Sequence, residues 1–244
     1  MNTPEAARPP ALDVARVRAI SLDLDDTLWP IWPTIERAER VLADWLREHA
    51  PAAAALAGDP AALRAARQRV HAERPDLHHD LSALRRESIR AVLERAGDDP
   101  ALAEPAFEVF FAERQRVVLY DDALPALQAL AARFPVVAVS NGNADVARVG
   151  LGAHFRASLS AREFGVGKPD PRIFHAAAAE AGVPPEAMLH VGDDAHLDAV
   201  GALGAGLQAA WLNRPGAPWE HAPLHPHTTV TDLRALCAQL GLTA

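Results

Sequence analysis

The chain has 244 residues, half of them apolar, and a formal net charge of −8. That length fits one large domain or a core with a smaller insertion, and the apolar share is enough to bury a core. The acidic balance argues against a nucleic-acid partner, which needs a basic stripe, and no apolar run reaches the roughly 20 residues that a membrane helix requires.

Residues 1–12 read as a disordered arm. Met1 to Pro10 carry Glu5, Arg8 and three prolines with no apolar block behind a basic start, which argues against a secretory signal. Residues 17–24 are a short, mostly apolar run centred on Ile20 and Leu22. This pattern predicts a buried parallel strand with a polar carboxyl end, since Asp23, Asp25, Asp26 and Thr27 follow at once. From Trp29 to Val117 there is no strand signal. Ile35, Ala38, Leu42, Trp45 and His49 recur at helical spacing, and further helical patterns cover residues 60–71, 80–95 and 100–116. The expectation is an all-helical cap over residues 30–117, inserted into a core made of 1–29 and 118–244. A small bundle at that point forms a lid that excludes water and selects substrates.

Beyond the insertion, short apolar runs at 135–139, 187–191 and 207–211 alternate with helical patterns at 122–132, 170–181 and 196–204. Alternation of this kind predicts an α/β core, a doubly wound Rossmann-like parallel sheet whose ligands bind beyond the carboxyl ends of the strands. The lone Cys237 has no intramolecular disulfide partner and sits with Leu236 and Leu240 in a last amphipathic helix, so a cytoplasmic protein is expected.

Three strand ends carry chemistry. Asp23 and Asp25, two apart on a chain leaving a strand, can both face one cleft, where one carboxylate attacks and the other moves a proton. Read alone, the pair serves equally as turn residues or helix caps. Gly192-Asp193-Asp194, with Asp198 a turn later, adds hard oxygens of the kind Mg²⁺ prefers, with Asp193 the best ligand and Asp194 suited to capping a helix. His190 and His196 lie nearby, but without a cysteine beside them zinc is the weaker reading. Ser140 and Asn141 offer a hydroxyl and freed backbone N–H groups where a chain turns into a helix, a place that holds phosphate oxygens. Of the 24 basic residues all but Lys168 are arginine, which implies that its position needs a compact ammonium. Lysine and a metal together neutralise a transferring phosphoryl group.

In this order Asp23-x-Asp25-x-Thr27, Ser140, Lys168 and Gly192-Asp193-Asp194 with Asp198 resemble the four motifs of the haloacid dehalogenase-like hydrolase superfamily, in the branch with a helical cap after the first motif. The resemblance implies Asp23 as nucleophile and Asp25 as acid and base, in an Mg²⁺-dependent phosphatase working through an aspartyl phosphate. It also implies Mg²⁺ on the carboxylates of Asp23 and Asp193 and the backbone carbonyl of Asp25. Ser140, Asn141 and Lys168 would meet the phosphate, with Thr27, Asp194 and Asp198 behind them. Dehalogenases of the superfamily carry a non-acidic residue where this chain has Asp25, and branches that use a Schiff-base lysine from the cap are excluded because residues 30–117 contain no lysine.

Longer strings, including Pro75-Asp-Leu-His-His-Asp80 with Arg86 and Ser140-Asn-Gly-Asn-Ala144, are similar to bacterial phosphatases of flavin mononucleotide and of the phosphorylated ribitylaminouracil intermediate of riboflavin biosynthesis. One departure is Trp29, where a tyrosine is expected. Trp29 and Trp32 can offer a flat wall to such a ring, and His79, Asp80 or Arg86 can reach its hydroxyls. The partner is then a phosphorylated small molecule and the protein a monomer or homodimer. Alternatives are a generic sugar-phosphate or nucleotide phosphatase, a phosphomutase, and a binding module without turnover.

Overall fold

The computed structural model describes residues 11–56 and 60–244. Most of the arm expected to be disordered lies outside them. Leu12, at its end, packs against the core, and the Asp13 N–H donates to Gln208 Oε1 at 2.8 Å.

Six parallel strands form one sheet: β1 (Ala19–Leu22), β2 (Val136–Ser140), β3 (Ala157–Ser160), β4 (Met188–Gly192), β5 (Gln208–Leu212) and β6 (Thr228–Val230). Their spatial order is β3-β2-β1-β4-β5-β6. This is the doubly wound order, in which the winding reverses beside β1 and leaves a crevice at the carboxyl ends of the strands. Strands β1, β2, β4 and β5 are buried along their whole length. Helices cover both of their faces, so they read as continuous apolar runs rather than alternating ones. The edge strands β3 and β6 were not expected. Ala-Ser-Leu-Ser and Thr-Thr-Val are short and half-solvated, and give no apolar run.

After β1 the chain leaves the sheet for α1 (Ile31–His49), α2 (Pro51–Leu56), α3 (Pro60–Glu73), α4 (Leu81–Ala96) and α5 (Ala103–Arg114). Ala38, Leu42 and Leu46 lie one above another on α1 and meet Ile89 and Leu93 of α4 and Phe107 and Phe110 of α5 in a separate apolar cluster. Asp80 caps α4 by accepting the Ala83 N–H at 2.9 Å, and Gly97, at φ 79°, ends it in the left-handed region. The chain then returns to the sheet, where the Tyr120 N–H donates to the Leu28 carbonyl at 2.9 Å.

On one face of the sheet, α6 (Ala123–Arg133) packs Leu127 and Leu130 against Ile20 and Leu22. After the short α7 (Ala161–Phe164), α8 (Pro171–Ala181) covers the other face with Ile173, Phe174 and Ala177 on Ala19, Val137 and Val139. A π-helical turn over Ala195–Val200 runs into α9 (Gly201–Gly204), and α10 (Leu233–Gln239) closes the first face with Leu236 and Cys237. Among the described residues no helix is long and apolar enough to cross a membrane.

Candidate active site

The turn after β1 separates the work of its three aspartates. Asp26 takes a left-handed φ of 57°, donates its N–H to the Trp29 carbonyl at 2.8 Å and accepts the Ile31 N–H on its carboxylate at 2.9 Å. Its carboxylate therefore starts α1. A non-glycine residue in that region is strained and needs such fixing partners. Asp23 and Asp25 are left to face the crevice.

Asp23 is buried at the floor. Its Oδ1 accepts a hydrogen bond from Lys168 Nζ at 2.5 Å, and the same ammonium donates to Asp198 Oδ1, also at 2.5 Å. Lys168 reaches this place because Asn141 holds its backbone: the Lys168 N–H donates to Asn141 Oδ1 at 2.7 Å, and Asn141 Nδ2 donates to the Lys168 carbonyl at 2.8 Å. Asp198, on the π-helical turn, is fixed in its turn by the Asp194 N–H on Oδ2 and by His190 Nε2 on Oδ1, each at 3.0 Å. The lack of a side chain on Gly192 makes room for this carboxylate, since a Cβ there would collide with it. His190 is fully buried, and burial lowers its pKa. A neutral ring satisfies both neighbours, with Nε2–H on Asp198 and Nδ1 accepting from Ser21 Oγ at 2.8 Å.

The electrostatics are those of a cation-seeking site. Burial raises Asp23 well above the usual carboxylate range, with the charges of Asp198 and Asp193 adding to the effect and Lys168 opposing it. Asp193 is pushed up to about 7 by burial and by the nearby Asp198 and Asp26. Burial would also raise Asp198 and lower Lys168, but their mutual attraction overcomes it, holding Asp198 below and Lys168 above their ordinary values. One ammonium thus pairs with two of three neighbouring carboxylates and leaves Asp193 without a cation. Asp23, Asp193 and Asp198 can each bring an oxygen within 4.8 Å of the others. Of these, Asp198 is already engaged by Lys168, His190 and the Asp194 N–H, which leaves Asp23 and Asp193 as the carboxylates able to hold a cation. Asp198 orients Lys168, whereas Asp194 caps the π-helical turn through the N–H groups of His196 and Leu197.

Other residues singled out from the sequence lie around this floor. Thr27 Oγ1 donates to Asp193 Oδ1 at 3.2 Å, and Trp211 Nε1 donates to the Asp193 carbonyl at 2.7 Å. Ser140 Oγ accepts the Gly142 N–H at 2.9 Å. The Asn141 side chain clamps the Lys168 backbone through both its amide oxygen and its amide nitrogen. Asp25 accepts from Trp29 Nε1 at 2.8 Å and from Arg114 Nη2 at 2.7 Å on each of its oxygens.

Three substrate contacts expected from the sequence, at Trp29, Arg86 and Asp80, are corrected. Trp29 is fully buried, with its ring in the core beside Leu24 and Leu28, and so presents no wall to a ligand. Arg86 lies over the Phe107 ring at 3.7 Å and pairs with Glu104 and Glu108, spending its charge within the helical bundle. Asp80 is spent as the α4 cap and on Arg162 at 3.7 Å. His79 lines a recess that also takes in Lys168, Asn141 and Pro169. Trp32, 70% exposed, lines a cavity of about 570 Å³ that also takes in Asp25, Arg114 and Gly142.

Trp29 meets Asp25 instead, through its indole N–H. Trp29→Phe keeps the apolar packing and removes one hydrogen bond to that carboxylate, so turnover is expected to fall by about tenfold or less. The loss is expected in equal proportion on every substrate tested, because the ring meets none of them.

Residues 17–206 match the family model for the haloacid dehalogenase-like hydrolases. The chain is 32% identical over 231 residues to the 5-amino-6-(5-phospho-D-ribitylamino)uracil phosphatase YigB of Escherichia coli (strain K12), which covers 91% of this chain and 96% of that one. It is 40% identical over 151 residues, 59% of this chain and 60% of the other, to a phosphoserine phosphatase of Thermus thermophilus. A crystal structure described as a 2-haloacid dehalogenase from Pseudomonas syringae superposes with a TM-score of 0.85 at 39% identity, covering 92% of this chain and 98% of that one. The aspartates after two strands, the single lysine that joins them and this match over most of the chain agree, and the chain belongs to the haloacid dehalogenase-like hydrolases.

Proposed function

We propose that this phosphoric monoester hydrolase transfers the phosphoryl group of a small monoester to Asp23 and then to water, with residues 30–117 as a cap over the core formed by 1–29 and 118–244. The observation that carries the reading is the pair at the end of β1: Asp23 buried against Lys168, and Asp25 beside it lining the cavity. A carboxylate oxygen of Asp23 forms the bond to phosphorus as the ester oxygen leaves, and Asp25 gives that oxygen a proton. In the second half Asp25 takes a proton from the attacking water, and the acyl phosphate opens to return the Asp23 carboxylate. Lys168 neutralises charge on the phosphoryl oxygens, and Ser140 supplies a hydroxyl beside them. Asp198, held by His190, keeps the ammonium in place.

The excess of buried carboxylate over ammonium fits Mg²⁺, whose hard-oxygen preference matches the carboxylates of Asp23 and Asp193 and the Asp25 backbone carbonyl. When bound it supplies further positive charge to the phosphoryl group. The likeness to a structure described as a dehalogenase supports the fold and not that reaction, because a halide leaves without a proton and gives Asp25 no task.

For the substrate, we infer a monoester with a flat pyrimidinedione ring, flavin mononucleotide or the phosphorylated ribitylaminouracil. The relationship to YigB supports this, as does a cavity wall of Trp32, Ile31, Ile35, Leu81 and Leu84. A panel of phosphomonoesters and 2-chloropropionate, assayed with Mg²⁺ and with a chelator, tests both levels. Magnesium-dependent phosphate release, highest on the pyrimidinedione esters and without halide release, is expected. Halide release would overturn the phosphatase reading, and uniform low turnover across the panel would overturn the substrate.

A further inference from the structure

The cavity above Asp25 has a second, cationic wall that the catalytic steps do not use. Arg67 comes from α3, Arg85 from α4 and Glu39 from α1. Both guanidinium groups pair with the same oxygen of Glu39, Arg67 at 2.6 Å and Arg85 at 3.2 Å. Both arginines line the cavity, as do Arg64 and His71. Among the described residues Asp25 is the one acid in that lining, and Arg114 already binds it. One carboxylate does not balance two guanidinium groups. Burial and the charge of Arg67 accordingly lower Arg85 to about 10.

We propose that Arg67 and Arg85, bridged by Glu39, form the polar end of the leaving-group pocket and bind two neighbouring oxygen acceptors on the leaving group. The inference rests on the reading of this cavity as the substrate site. Three observations support it. Each guanidinium carries five N–H groups, more than the single Glu39 oxygen facing both of them takes up, and the two side chains, 27% and 12% exposed, line the open cavity. The Arg85 guanidinium lies over the Phe110 ring at 4.1 Å, which fixes the plane of its fork before any ligand arrives. Trp32, Ile31 and Leu84 line the same cavity with apolar surface, so a ring set against them can present its edge to the arginines. The chemistry selected is a ring whose edge carries paired oxygens, either two carbonyls flanking an imide N–H or a carboxylate. A leaving group without such an edge, a plain sugar or an alkyl chain, leaves the donors unpaired and is bound less well.

The test compares kcat/KM on flavin mononucleotide, 4-carboxyphenyl phosphate and phenyl phosphate, which lacks the acceptor pair, for the full chain and for Arg67→Met and Arg85→Met. The ratio of an acceptor-bearing ester to phenyl phosphate is expected to fall by about tenfold in each variant, through KM, the effect of one hydrogen bond to a charged donor. Residual turnover of phenyl phosphate reports that the variant is folded, and Arg67, more exposed than Arg85, is the safer of the two. A variant that loses activity on all three esters in one proportion, or on none, overturns the proposal while leaving the phosphatase reading intact. An arginine-dependent preference for 4-carboxyphenyl phosphate with none for flavin mononucleotide supports the subsite and overturns the pyrimidinedione reading.

Discussion

Asp23→Asn is expected to reduce phosphate release by roughly 10⁴-fold or more, the scale seen when an essential nucleophile is removed, and to leave the protein folded. An amide oxygen does not form the acyl phosphate, and Asn has the same shape as Asp. Burial already disfavours the Asp23 charge, so a neutral side chain removes a cost that the folded chain carries. Lys168 keeps Asp198 as its partner. The thermal midpoint should therefore stay the same or rise, as it does where a strained functional group is replaced by an inert one. Calorimetry and a phosphate-release assay on the same preparation check both halves. An active variant ends the case for covalent catalysis, and an unfolded one ends the account of Asp23 as a group held against its own stability.

Lys168→Met is expected to lose turnover and, unlike the first variant, to lose stability as well. Removing the ammonium leaves Asp23 and Asp198 facing each other in a buried site, each within 2.5 Å of the nitrogen that is gone. Taking one partner from a buried ion pair costs about 3–5 kcal/mol, because the remaining charge has no compensation. Urea titration measures that loss directly. Lys168→Arg should not restore activity, since a planar fork does not fit where a compact ammonium contacts two carboxylates at 2.5 Å. A Met variant as stable as the parent would mean that the carboxylates find other partners and that the network described here is not what holds them.

The sequence made the inner strands legible because helices cover both faces of the sheet, so β1, β2, β4 and β5 had to be continuous apolar runs. It hid β3 and β6 because edge strands carry no such demand. The helices between Ile31 and Arg114 showed through their 3.6-residue periodicity, which the cluster around Leu42 and Phe107 requires. Asp23, Lys168, Asp193 and Asp198 could be singled out together because a parallel sheet delivers its strand ends to one side, and because a lone lysine among arginines stands out in composition alone.

Other parts of the site left no such mark. Arg114 is 89 residues from Asp25 in sequence, and an arginine in the last turn of a helix reads as an ordinary partner of the helix dipole. Its burial came only from the way α5 docks at the strand ends. Trp29 follows Leu28, and nothing local distinguishes an indole that faces a ligand from one that enters the core and turns its N–H towards a carboxylate. Arg86 looked free for substrate because Glu104 and Glu108, its partners, sit on another helix. The pairing of Arg67 and Arg85 through Glu39 needs three helices to be packed before it exists.

The central claim is the covalent intermediate on Asp23. Acid quench during steady-state turnover of flavin mononucleotide or phenyl phosphate, followed by borohydride reduction and peptide mass spectrometry, tests it most directly, because borohydride converts an aspartyl phosphate to homoserine and leaves a free carboxylate unchanged. The account predicts homoserine at position 23, dependent on substrate and missing in Asp23→Asn. Turnover with an unmodified Asp23, or with the label on another residue, would contradict it.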